Sequence, residues 1–275
     1  MAVDIDAAVL EKEKFSLGRQ EHFDGAPRAV AARLKVLDAE WGKIVPLAKP
    51  DVEHWLHAVA PGIGVTVLSQ RAGFSRIRIF QQLSGDRVPE ETILKVSRVL
   101  ELDPLEQLRS FQGYEYLESS RPDPREVPAY IRWDYLGRGC AAIELQEPLT
   151  ESVLGPVCFP GASRQWIDSV DPDGGSRKHL EKTGPISGQG LSKMLNSPLR
   201  LDLAVLAAQY ADLPLSSAYV VAGLLTPSEA GWAADERVQW LQQQGKIQRL
   251  QLLEKRIHAA RVREERNRDS ARHPG

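Results

Sequence analysis

Cysteine is nearly absent from this 275-residue chain: Cys140 and Cys158 are the only two. Two thiols in so long a chain make no disulfide framework, and they fit a reducing, cytoplasmic setting. Long apolar runs are missing too. No stretch approaches the roughly 18 residues that a membrane span requires. The opening "MAVDIDAAVLEKEKF" carries acid early and has no apolar core, so no secretory leader is expected there. An excess of positive charge is also lacking. The formal net charge is −2, so any contact with nucleic acid must come from a local patch.

Familiar chemical motifs are scarce as well. His54 and His57 in "EHWLH" have a helical spacing that can hold zinc, but no further ligand cluster accompanies them. Cys140, Cys158 and His179 lack paired metal-ligand spacing. "GPISGQGLSK" has glycines and a lysine without the G-K-[ST] order of a phosphate loop. "DPDGG" at 171 is a turn signal and lacks the acid spacing of a calcium loop. No catalytic set is visible. The expectation is a protein that is not an enzyme and needs no metal or cofactor.

What is present is helical patterning. From Ala26, Val30, Leu34, Leu37 and Trp41 recur at helical spacing behind Pro27. Asp51 is positioned to cap "VEHWLHAVA", which "PGIG" ends. Four short helices with tight turns are expected from Thr66 to about Ser110. "SSRPDPREVP" at 119–128 reads as a linker. "AYIRWDYLGRGCAAIEL" is aromatic and β-leaning, with Gly137 and Gly139 at an expected hairpin turn. Residues 146–190 are rich in Pro, Gly, Ser and Asp and read as a long irregular segment. Helices return at 191 and run to the end. Near the C-terminus, Ile247, Leu250, Leu253, Ile257 and Ala260 share one face, while Arg249, Lys255, Arg256 and Arg261 lie on another.

The stretch with the strongest chemical character is "VLSQRAGFSRIRIFQQLSGDRVP", residues 67–89. Thr66 is placed to cap a first helix with Leu68 inward. Gly73 stands where a chain leaving a helix often takes positive φ, and Phe74 plugs the corner. Ser75 is placed to cap a second helix, "RIRIFQQLS", which Gly85 stops. On a helical wheel Ile79 and Leu83 form the inward side, with Ile77 and Gln81 nearly opposite and Arg76 at the exposed start. No acid occurs between Ser75 and Gly85. This set suits a DNA major groove. Arginine can pair with a guanine edge, glutamine with adenine, and an outward isoleucine can touch a thymine methyl. Arg87 lies where it could reach the phosphate backbone.

"LSQRAGFSRIRIFQQLSGDRVPEETILKVSRVLELDPLEQL" resembles the Cro-type (XRE-family) helix-turn-helix through Leu68, Gly73, Ser75, Ile79, Gly85, Pro89, the helix around Leu94 to Leu100 and the closing "ELDPL". The resemblance covers about residues 50–109. It implies a lambda-repressor-like domain of five short helices, with the second stretch as recognition helix and base contacts at Arg76, Ile77 and Gln81, Arg78 close by. The sequence departs from the family at Gln82, where an apolar residue is usual, and at Val65–Thr66, where glutamine is common. The DNA-binding candidates are therefore Thr66, Ser75, Arg76, Ile77, Arg78, Gln81 and Arg87.

Sliding the sequence by 138 residues aligns Val67, Leu68, Gly85, Pro89 and Glu91 with Val205, Leu206, Gly223, Pro227 and Glu229. In this second stretch Arg76 meets Pro214, Arg78 meets Ser216 and Gln81 meets Tyr219, so no basic residue remains to grip phosphate. The expected organisation is mainly α: an N-terminal helical extension at 1–49 and a helix-turn-helix domain at 50–118. A linker and irregular middle with a small hairpin follow at 119–189. A helical assembly or effector domain, holding a degenerate second helix-turn-helix, occupies 190–275. The expected function is that of a bacterial or phage transcription regulator, a repressor, cytoplasmic at the nucleoid. It would bind double-stranded DNA as a homodimer joined through 190–260. The alternatives are an antitoxin-like adaptor that uses the fold for protein contacts and a nucleoid-type DNA-coating protein.

Overall fold

The computed structural model describes residues 47–75, 81, 87–171, 173–183 and 186–272. The expected helix from Ala26 lies outside the described residues. Among the described residues, the first element is a short strand, β1 (Leu47–Ala48), paired antiparallel with a later one, β2 (Arg87–Val88), Leu47 opposite Val88. Helix α1 (Lys49–Val59) follows at once. Pro50 fits its first turn, where no N–H partner is required. Asp51 is not the cap: Ala48 holds that position, and Asp51 sits in the first turn, where its charge complements the helix dipole. Val52 and Trp55 bury the inner face of α1. The Trp55 indole N–H donates to Gln107 Oε1 at 2.9 Å, tying α1 to the end of this unit.

Among the described residues, three further helices belong to this unit: α2 (Val65–Arg71), α3 (Glu90–Val99) and α4 (Pro104–Arg109). Ile93, Leu94 and Val96 of α3 are fully buried. Asp103 caps α4, its carboxylate accepting from the N–H groups of Leu105 and Glu106 at 2.9 and 3.1 Å.

Residues 119–128 are packed in, which corrects their reading as a linker. The Ser120 N–H donates to the Ala230 carbonyl at 2.9 Å. Glu126 is fully buried. Its carboxylate accepts from the Trp166 indole at 3.0 Å, the Ser217 hydroxyl at 2.7 Å and the Asp123 N–H at 2.9 Å. A buried 3-10 turn, Val127–Tyr130, leads on from it.

The expected β-hairpin is instead a helix, α5 (Trp133–Glu144). Gly137 and Gly139 lie in its interior and not at a turn. Gly139 is small for packing: a Cβ there would fall 2.8 Å from both Leu154 Cδ2 and Leu241 Cδ2. The expected irregular stretch at 146–190 holds three short helices, α6 (Ala162–Val170), α7 (Gly175–Thr183) and α8 (Gly188–Met194). Each is too short to show a sustained apolar period, which is why composition alone suggested a loop. Ser187 caps α8 by accepting from the Gly190 N–H at 3.2 Å.

The C-terminal region contains α9 (Leu201–Tyr210), α10 (Leu215–Val221), α11 (Glu236–Gln243) and α12 (Lys246–Arg272). Helices α9 and α10 form a hairpin. Residues 203–208 and 216–221 are buried in this chain's own core, so α10 is not a free surface for a second subunit. One apolar cluster runs from Leu47 through Leu94, Trp166 and Tyr219 to Trp232. A smaller one gathers Ile131, Leu136, Cys140, Leu154, Val238 and Leu241. Arg237, 4% exposed, clamps the second cluster. It donates to Glu151 Oε2 at 2.6 Å and to the carbonyls of Tyr130 and Gly155 at 2.8 Å each.

Helix α12 keeps its expected faces only in part: Leu253 packs inward and Lys255 and Arg261 are exposed as expected, while other members change sides. Ile247, Leu250 and Ile257 are 71, 53 and 47% exposed. The inward face carries Leu252 and Leu253, packed on the smaller cluster, together with Arg249 and Arg256. Arg249 turns inward because polar partners await it: Glu144 Oε1 at 2.8 Å and the Gln244 carbonyl at 2.6 Å. Among the described residues, no helix is long and apolar enough to cross a membrane.

Candidate functional site

The predicted DNA-reading element begins at α2. Its cap position is Gly64, and Thr66 lies inside the helix. Thr66 is thus not the cap expected from the sequence. It is half-buried, and its carbonyl accepts from the Ser69 hydroxyl at 2.8 Å. Val67, Gln70 and Arg71 are exposed along the outer side. Leu68 and Ser69 face the core.

The turn after α2 has the predicted form. Gly73 takes φ +69°, a conformation that a Cβ disfavours. The Phe74 N–H donates to the Ser69 carbonyl at 2.9 Å and the Gly73 N–H to the Gln70 carbonyl at 3.2 Å, which together close the helix end. Phe74 is 6% exposed and fills the corner, with Lys95 Nζ 4.8 Å from its ring centroid. The chain therefore leaves α2 in a fixed direction.

Ser75 is exposed at the start of the next stretch. Arg76, Ile77 and Arg78 lie outside the described residues. Gln81 is helical and exposed. The backbone of Arg87 pairs with Ala48 in the two-stranded ribbon, which ties the exit of the element to the start of α1. Below it, Glu90 is held by Tyr114, whose hydroxyl donates to Glu90 Oε1 at 2.5 Å. Burial raises the Glu90 carboxyl above its ordinary range, against the lowering effect of that hydrogen bond.

One signal extends further than the helix itself. From His54 to Gly85 the chain contains three arginines, Arg71, Arg76 and Arg78, and no aspartate or glutamate. His54, His57, Gln70 and Arg71 are exposed and belong to this acid-free stretch. Reading only the second helix misses them. Among the described residues, no group of His, Cys, Asp and Glu could hold a metal ion.

The second stretch, 138 residues on, differs in kind. Residues 203–209, matching α2, lie within α9, and Gly223, matching Gly85, takes φ +71°. Tyr219, which matches Gln81, is fully buried. The face that is exposed at Gln81 is thus turned into the core in the later hairpin. Comparison with family models, with curated proteins and with solved structures returns no match to this chain.

Proposed function

We propose that the chain is a sequence-specific DNA-binding transcription regulator, a repressor, that reads the major groove with residues 76–84. The observation carrying this reading is the acid-free stretch from His54 to Gly85, with His54, His57, Gln70 and Arg71 exposed, on a molecule whose net charge is −2. Such a local excess attracts a phosphate backbone where the whole molecule does not. The closed turn at Gly73 and Phe74 supports it, because base readout requires a fixed exit angle. Ser75 stands at the N-terminal end of the reading stretch, Arg76 and Arg78 address guanine edges, Ile77 a thymine methyl and Gln81 adenine. Arg71 and Arg87 supply backbone contacts. Within 190–260 the exposed large apolar side chains are Ile247, Leu250 and Ile257. A homodimer joined through this region would pair α12 and not the buried α10.

The test is selection of bound fragments from random duplex DNA, followed by titration of the selected site. Arg76→Ala and Arg78→Ala are each expected to weaken binding by about 1–3 kcal/mol with little change in melting. Affinity should also fall steeply with salt, as phosphate contacts require. Both variants binding as tightly as the parent would refute the reading.

A further inference from the structure

A cleft of 1090 Å³ opens between α6, α8 and α12, with the first turn of α5 at its rim. Among the described residues, five arginines line it, Arg132, Arg164, Arg256, Arg261 and Arg263, against two acids, Asp168 and Glu264. Both acids have cationic partners of their own: Arg177 reaches Asp168 at 2.5 Å and Arg268 lies 3.8 Å from Glu264. Two of the arginines are likewise engaged. Arg132 forks onto Asp134 and Arg261 meets Glu265 at 3.2 Å. Arg164 is held in place by the Ser192 carbonyl at 2.7 Å.

Arg256 is the unusual member. Its Nη2 donates to Ser169 Oγ at 2.9 Å and to the Pro128 carbonyl at 3.4 Å, both neutral acceptors. Its Nε is buried and has no hydrogen-bond partner among the described residues. Burial lowers the guanidinium to about 10, with Asp168 opposing the shift. A guanidinium taken from water beside neutral groups is costly unless an anion joins it. Arg263 lies at the same cleft, its Nη1 3.0 Å from where a Cβ on Gly161 would stand. Trp133, 43% exposed, offers a flat apolar surface at the rim.

We propose that this cleft binds a small phosphate-bearing molecule with a planar aromatic ring, a nucleotide, its phosphates on Arg256 and Arg263 and its ring on Trp133. Guanidinium forks suit phosphate oxygens, and an exposed indole suits a stacked base. The volume is close to that of small-molecule sites. A duplex is the poorer fit, because Arg256 is recessed in a concavity. Among the described residues, none of 54–85 lines the cleft, so the site stands or falls apart from the DNA reading.

The experiment is calorimetric titration of the full chain with ADP, GDP and pyrophosphate. At least one nucleotide should bind ten times more tightly than pyrophosphate. Trp133→Ala should abolish that preference, and Arg263→Glu should weaken all three probes at least tenfold, with circular-dichroism melts matching the parent. The proposal is overturned if no nucleotide binds at millimolar concentration or if both variants titrate like the parent. It is equally overturned if Arg263→Glu loses random-sequence duplex binding while nucleotide binding is untouched, for the cleft would then be a nucleic-acid surface.

Discussion

Glu126 illustrates how a single buried carboxyl can hold distant segments together. It draws hydrogen bonds from Trp166 of α6, Ser217 of α10 and the backbone of Asp123. Burial is the largest influence on it and raises its affinity for a proton, although all three donors favour the charged form. The folded state therefore keeps a proton that the unfolded chain has already lost. The resulting stability is fully present below the ordinary glutamate range and is lost as pH rises through the raised folded value. Glu126→Gln removes this term. Urea midpoints for parent and variant at about pH 8 and about pH 5 should show the parent gaining relative to the variant at the lower pH. An unchanged difference between the two pH values would mean that the carboxyl is already ionised in the fold.

At the scale of elements, α12 shows how a sequence pattern can mark a helix correctly and misplace its faces. Of its expected apolar stripe Ile247, Leu250 and Ile257 point outward while Leu253 packs inward, and of its expected basic face Arg249 and Arg256 turn inward while Lys255 and Arg261 stay exposed. Hydropathy gave no warning, because what turns Arg249 inward is a partner far along the chain, Glu144. Leu253→Ala is accordingly expected to cost about 2 kcal/mol by removing contacts with the smaller cluster. At dilutions where the chain is monomeric, Leu250→Glu should stay within about 0.5 kcal/mol of the parent. Thermal melts of the two variants check this, and the reverse ranking would show that the outward stripe is the covered one. The same distinction explains what else was legible. The helices α1 to α4, the turn at Gly73 and the corner filled by Phe74 rest on local signals, namely a positive-φ glycine and a short apolar period, although the caps expected at Asp51 and Thr66 do not form. The helix α5 was hidden by Gly139, which reads locally as a turn residue but is needed for contact with Leu154 and Leu241. Helices α6 to α8 were hidden by the Gly-, Pro-, Ser- and Asp-rich composition of 146–190, which reads locally as loop. Of the proposed reading residues, Gln81 is exposed, the side on which the wheel put it, and Ser75 is exposed too, while Thr66 lost its expected role as cap to Gly64.

Across the whole molecule, the surface proposed to meet DNA is mounted on a core that the later half of the chain completes. Arg98 of α3 forks onto Glu229 at 2.6 and 2.8 Å and also reaches the Leu224 carbonyl at 2.5 Å, just beyond α10. Beneath this bridge, buried side chains run without a break from Leu94 to Tyr219. The first unit and the α9–α10 hairpin should therefore open together and not separately. A cavity in the later one tests this. Tyr219→Leu removes a fully buried ring and is expected to cost roughly 2–4 kcal/mol. Native-state hydrogen exchange should then show the amides of α3 losing as much protection as those of α9. Protection in α3 that survives while α9 loosens would mean that the first unit is stable alone, and that the later hairpin only rests against it.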